Sequence, residues 1–141
     1  YNLITGENDG LGLASRFEVL DIGVDPWNAG ELSRRLKDAG IEVVDVAQTI
    51  ARLSEPSQKL EALVASGGLD HGHNPIFSWN ARNATARRDA NENVAPDKKP
   101  ARRARIDGIS ALVNALHRMI HHEAAEEPEE WVTFIGGEGE A

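Results

Sequence analysis

The chain contains no cysteine. That excludes a disulfide framework, thiolate metal ligands and a cysteine nucleophile. Aromatic residues are scarce at 5% of 141 positions, so the core must come mostly from Leu, Ile, Val and Ala. No apolar run approaches the ~18 residues that span a bilayer, and the first residues lack the basic and apolar regions of a signal peptide. Neither membrane insertion nor a leader is therefore expected. The length is that of one domain with room for a core.

Charge is present but unevenly placed. The net charge is -8, yet the last stretch, 123–141, holds seven acids (Glu123, Glu126, Glu127, Glu129, Glu130, Glu138, Glu140) and neither lysine nor arginine. Residues 1–122 are thus close to neutral. Within them, 82–105 carries eight bases (Arg82, Arg87, Arg88, Lys98, Lys99, Arg102, Arg103, Arg105) against three acids (Asp89, Glu92, Asp97). A neutral body, a basic segment and an acidic tail form a polarised layout that the overall charge conceals. The tail is expected to be flexible, although Trp131-Val132-Thr133-Phe134-Ile135 is too apolar for simple solvation.

Hydrophobic periodicity predicts an α/β order. Residues 2–5 read as the end of a strand, 11–17 as a helix and 19–24 as a buried strand. Pro26 suits the first turn of a helix with Leu32, Leu36 and Ala39 on one stripe, stopped by Gly40. A second β-branched run at 41–46 makes strand–helix–strand, a right-handed parallel crossover. Ser54-Glu55-Pro56 reads as another helix start, closed by Gly67-Gly68. A loop at 69–77 leads to a short helix at 79–83. A hairpin about 89–93 follows, then a polar connector at 98–103. The most periodic helix is 106–121, with Ile106, Ile109, Leu112, Val113, Leu116 and Ile120 on one face.

Two aspartates stand out. Asp25 ends the run Ile22-Gly23-Val24, where open α/β sheets bind their ligands. Asp107 follows Arg105-Ile106 at the start of the periodic helix. Each also has a structural reading, Asp25 as a helix cap and Asp107 as a favourable first-turn acid. Two carboxylates brought to one sheet end from different elements suit a divalent-metal nuclease. His117 and His121 have i,i+4 zinc spacing, but cations at a helix C-terminus are favoured in any case. The basic run is a candidate for phosphate contact, with a solvated hairpin and linker as its alternative.

Several segments in order carry a resemblance. Asp25-Pro26-Trp27-Asn28-Ala29, Gly40-Ile41, Gln48 and Leu60-Glu61-x-Leu63-Val64 are followed by His71-Gly72-x-Asn74-Pro75 and Trp79-x-x-x-Asn83. Asn93-Val94-x-Pro96-x-Lys98 and Arg105-Ile106-Asp107-Gly108-Ile109-x-Ala111 complete the series. Residues 1–121 so resemble the C-terminal nuclease domain of the tailed-phage terminase large subunit.

That resemblance implies a ribonuclease H-like mixed sheet flanked by helices, lacking its first strands, with 1–122 as a partial nuclease domain. It implies metal-dependent DNA cleavage during genome packaging, with Mg or Mn as cofactor. Three acids hold two ions in that family. Asp25 and Asp107 match two of them, and the first lies on a strand that this sequence does not contain. At most one weak ion, and no useful turnover, is then expected of these residues alone.

Trp27, Asn28 and His71 would support the site, while Lys98, Arg102, Arg103 and Arg105 would contact double-stranded DNA. The terminase ATPase domain, small subunit and portal are the implied partners, and the host cytoplasm the implied location. No Gly-x-x-x-x-Gly-Lys-[Ser/Thr] phosphate loop occurs. His73 stands where the family usually has glycine, and Gln58 and Ala95 where lysine is common, which would thin the positive charge facing DNA. The rival within this lineage is a non-catalytic DNA- or portal-binding module. A third reading, a small α/β interaction protein with coincidental motifs, requires Asp25 and Asp107 to lie far apart.

Overall fold

The computed structural model describes residues 1–6, 12–27, 29–100 and 103–122. Asn28, Arg102 and the acidic tail therefore lie outside the described residues. Helix α1 (Asn2–Thr5) and a 3-10 turn at Leu13–Ser15 precede strand β1 (Ile22–Val24). Helix α2 (Gly30–Asp38), strand β2 (Val43–Asp45), helix α3 (Ile50–Ala65) and helix α4 (Pro75–Asn83) follow. The hairpin β3 (Ala84–Arg88) and β4 (Val94–Lys98) then leads to helix α5 (Asp107–His121).

The two ladders are separate. β1 pairs with β2 in parallel, Gly23 opposite Val44, while β3 pairs with β4 antiparallel, Ala86 opposite Pro96. The β1–α2–β2 unit is the expected parallel crossover. Side chains alternate across a strand, and that period sorts the layers here. Ile22 and Val24 join Val43 and Leu36 in one cluster, so this face of the sheet is closed by α2. Gly23 faces the other way, onto α5: a Cβ there would lie 3.3 Å from the Asn114 carbonyl and 2.9 Å from Arg118 Cγ. Glycine is required because helix and strand approach so closely.

A second cluster joins Val46, Leu53, Ala95 and Val113, tying β2's exit to α3, β4 and α5. Ser54 locks this junction. Its buried hydroxyl oxygen accepts the Val94 N–H at 3.1 Å and also the Gln58 side-chain amide at 3.1 Å. The predicted core face of α5 is seen in the burial of Ile109, Val113 and Leu116.

Several local expectations change. Residues 2–5 form one helical turn, closed by Gly6 at φ 67°, and not the end of a strand. Pro26 does not start α2, which begins at Gly30. Ser54-Glu55-Pro56 sits inside α3, whose start is capped by Thr49, its hydroxyl accepting the Arg52 N–H at 3.3 Å. Pro56 lacks a backbone N–H, a loss that the helix absorbs by burying the ring completely. α4 starts four residues earlier than predicted, at Pro75, because the Asn74 side chain accepts the N–H groups of Ile76 and Phe77, both at 3.0 Å. Ala95 is fully buried against Val46 and Leu53, so that position faces the core and not DNA.

Candidate metal and nucleic-acid site

The site is built on the face of β1 that carries Gly23. By the same alternation, Asp21 and Asp25 share that face. Asp21 meets Arg118 of α5 in a two-point ion pair, Nε to Oδ1 and Nη2 to Oδ2, each 3.0 Å. Gly23 meets the Asn114 carbonyl. Two strand residues advance about as far as four helical ones, some 6–7 Å. The register 21 with 118 and 23 with 114 therefore continues with 25 near 110–111. Indeed Asp25 and Ala111 line one groove of about 990 Å³, together with Asn114 and Met119. α5 thus runs opposite to β1, and Asp107, in its first turn, lies one helical turn beyond.

The two acids line separate depressions. Asp25 is in the large groove; Asp107 lines a notch of about 480 Å³ with Trp79, Asn80, Phe77 and Arg105. Both aspartates are exposed. One oxygen of Asp25 accepts the Trp27 backbone N–H at 3.1 Å, forming a local turn after the strand. Trp27 meets Asp25 through its backbone N–H, and the residue is 87% exposed.

His71 reaches the notch indirectly. Its ring packs on Phe77 with centroids 5.4 Å apart, and Phe77 lines the notch beside Asp107. His73 adopts φ 55°, a left-handed conformation that suits glycine far better than histidine. The neighbouring Gly72 is also left-handed, with its N–H donated to Asp70 at 2.8 Å.

Carboxylates are hard oxygen donors of the kind that Mg and Mn prefer, so Asp25 and Asp107 fit the chemistry of one such ion. Among the described residues, no group of three or more His, Asp or Glu side chains is gathered as a ligand set. That covers the histidine pair of α5. His117 and His121 stack with centroids 4.4 Å apart, and His121 Nε2 lies 3.6 Å from Glu55. Burial pushes the His117 pKa down, and the positive neighbours His121, Arg52 and Arg118 push the same way, against a smaller opposing pull from Glu55.

The basic residues are spread over the hairpin and its exit. Arg87, Arg88, Lys98, Arg103 and Arg105 are exposed. Lys99 donates its ammonium to the Arg82 carbonyl at 2.7 Å, so it braces α4 against β4. Asp89 does not oppose these charges freely. Its carboxylate accepts the N–H groups of Asn91 and Asn93 and the Asn93 side-chain amide, closing the hairpin turn. The Asn93 side-chain bond leads the causes that hold its pKa below the ordinary aspartate value.

Sequence reasoning missed Asp21, Gly23, Asn80 and Arg118. A glycine within a β-branched run was the available signal for Gly23. For the Asp21–Arg118 pair, separated by 97 positions, the sequence carries none.

Comparison with known proteins bears on the family and the fold. Protein YmfN of Escherichia coli (strain K12) is 32% identical over 106 residues, covering 74% of this chain and 23% of YmfN. The terminase large subunit of Enterobacteria phage HK97 is 26% identical over 102 residues, covering 71% of this chain and 20% of that protein. The crystal structure of the HK97 large terminase superposes with a TM-score of 0.60 at 26% identity, over 69% of this chain and 20% of the other. The chain thus spans about a fifth of the length of these relatives. The structural match bears out the ribonuclease H-like α/β fold. Residues 10–123 match the family described as terminase large subunit, endonuclease domain, and with the shared fold this makes the chain a member of that family.

Proposed function

We propose that this chain is the part of a metal-dependent packaging endonuclease that carries two of its acids. Asp25 and Asp107 would hold one divalent ion, Mg or Mn. Such an ion supplies a Lewis acid for the scissile phosphate and lowers the pKa of a bound water. The protein's own contribution is to fix the two carboxylates at one end of the β1–α5 layer and to hold the duplex beside them. Exposed Arg87, Arg88, Lys98, Arg103 and Arg105 would grip phosphates without reading bases.

One observation carries the reading. The Asp21–Arg118 pair and the close approach of Gly23 to Asn114 fit α5 running antiparallel to β1, an arrangement that supports a site shared by the two acids. With two acids in place of three, these residues would bind metal weakly and leave DNA uncut. The ATPase domain, small subunit and portal follow as partners of the whole protein, and the host cytoplasm as its place of work.

Plasmid nicking in manganese tests this, using the chain alone and preceded by a strand bearing an acid. Cleavage by the extended form only, abolished by Asp25→Ala and by Asp107→Ala, supports the reading. Cleavage by neither form turns it toward a DNA- or portal-binding module, which the exposed basic hairpin favours. Membership of the nuclease family displaces the third reading, a small interaction protein with coincidental motifs.

A further inference from the structure

We propose that Asn80 and Asn83 of α4 are positioning residues for Asp107, clamping the turn on which that carboxylate is presented to a divalent cation. The inference rests on the metal reading of Asp25 and Asp107 and adds the device that aims one of them.

The need arises from the start of α5. The first amides of a helix lack partners within it, and Ile106, at the capping position, has no side-chain acceptor to offer. α4 supplies one from outside. Asn80 Oδ1 accepts the Gly108 N–H at 2.9 Å, on the C-terminal side of Asp107. Asn83 Nδ2 donates to the Arg105 carbonyl at 3.2 Å, on the N-terminal side. The aspartate is therefore held from both flanks by one neighbouring helix.

Three further features make the clamp stiff. Asn80 is only 4% exposed, so water competes poorly for its bonds. Its amide nitrogen is committed to the Ile76 carbonyl at 3.0 Å, which fixes the oxygen toward Gly108. The backbone at Asn83 is tied in turn, its carbonyl accepting the Lys99 N–H at 2.9 Å. The choice of an amide is also chemical. A carboxylate at position 80 would accept the same N–H but would set a second negative charge beside Asp107. Asparagine gives the acceptor without the charge.

The test uses Mn²⁺ alone as probe and the 141-residue chain, with binding read by electron paramagnetic resonance. Asp25→Ala and Asp107→Ala should abolish the bound signal in this chain. Asn80→Ala should weaken Mn²⁺ binding about tenfold, the lower end of what removing a ligand's supporting partner costs, and should shift the Gly108 amide resonance. Arg34→Ala, which removes the 3.0 Å pair with Asp38 on α2, across the sheet from α5, should leave the affinity unchanged. If Asn80→Ala unfolds the chain, Asn83→Ala carries the same prediction through the Arg105 carbonyl.

Unchanged Mn²⁺ affinity in a folded Asn80→Ala or Asn83→Ala chain, with the acid variants still silent, overturns the clamp and leaves the metal site standing. Binding that survives both acid substitutions overturns the metal reading and the clamp with it.

Discussion

Arg118 and Asp21 meet through two parallel bonds of 3.0 Å, and this pair sets how α5 lies on β1. The Asp21 carboxylate is 6% exposed and the guanidinium 18%, so water screens the pair poorly. Hydrogen bonding to Asp21 holds the Arg118 pKa above its ordinary value, with the coulombic attraction adding to it. Removing one partner leaves a half-buried charge alone. Asp21→Ala is expected to cost ~3 kcal/mol, whereas Asp21→Leu with Arg118→Met should recover most of that loss. Urea denaturation of the three chains decides it.

Gly23 makes a second, steric prediction. A methyl group there would meet Arg118 Cγ at 2.9 Å and Val46 Cγ2 at 3.1 Å. Arg118 cannot swing aside without breaking its pair, so Gly23→Ala should destabilise by about 1–3 kcal/mol. A thermal melt showing no loss would mean that α5 stands further from β1 than described.

His117 predicts an acid-sensitive fold. It is 4% exposed, and neither ring nitrogen has a hydrogen-bond partner among the described residues. Its folded pKa lies below the usual 6.5, chiefly because burial disfavours the cation, with His121, Arg52 and Arg118 adding repulsion and Glu55 opposing. The unfolded chain therefore binds the extra proton first. Stability is full above pH 6.5 and declines as pH falls from there toward the folded pKa. His117→Leu should flatten this part of the profile of melting temperature against pH, while Glu55→Gln should leave a decline in place.

Binding to DNA should be electrostatic and tolerant of sequence. Arg103→Ala with Arg105→Ala is expected to weaken binding to any duplex and to lower the salt slope by about 0.9 for each phosphate contact removed. Anisotropy titrations over a range of salt, on two unrelated duplexes, read both quantities. A loss confined to one duplex would contradict phosphate-only contact.

Much of this was legible along the chain, and the failures have physical causes. The helix at 106–121 was visible because a single apolar stripe repeats without interruption, and the structure places it at Asp107–His121. The hairpin was visible because its turn is dense in Asp and Asn, and its pairing follows. Ser54-Glu55-Pro56 misled because local chemistry that suits a helix start was recruited for tertiary ends. The serine hydroxyl binds the hairpin and the proline ring fills the core. Asp25 and Asp107 stand out along the chain, but the groups packed around their elements do not announce themselves. Asn80 acts across 28 positions and Arg118 across 97. Contacts that distant leave no periodicity to read.

The Ser54 bond to Val94 also has a mechanical meaning. A hairpin joined to its domain only by chain ends can whip like a loose arm. Here β4 is pinned at its turn end, opposite Arg87 and Arg88, by a buried hydroxyl and by Ala95 wedged beside Val113 of α5. A pull on the outer arginines would therefore load α3 and α5 directly, with little slack at a hinge. The basic arm behaves as a bracket, and the distance from whatever it grips to the start of α5 is held by the frame.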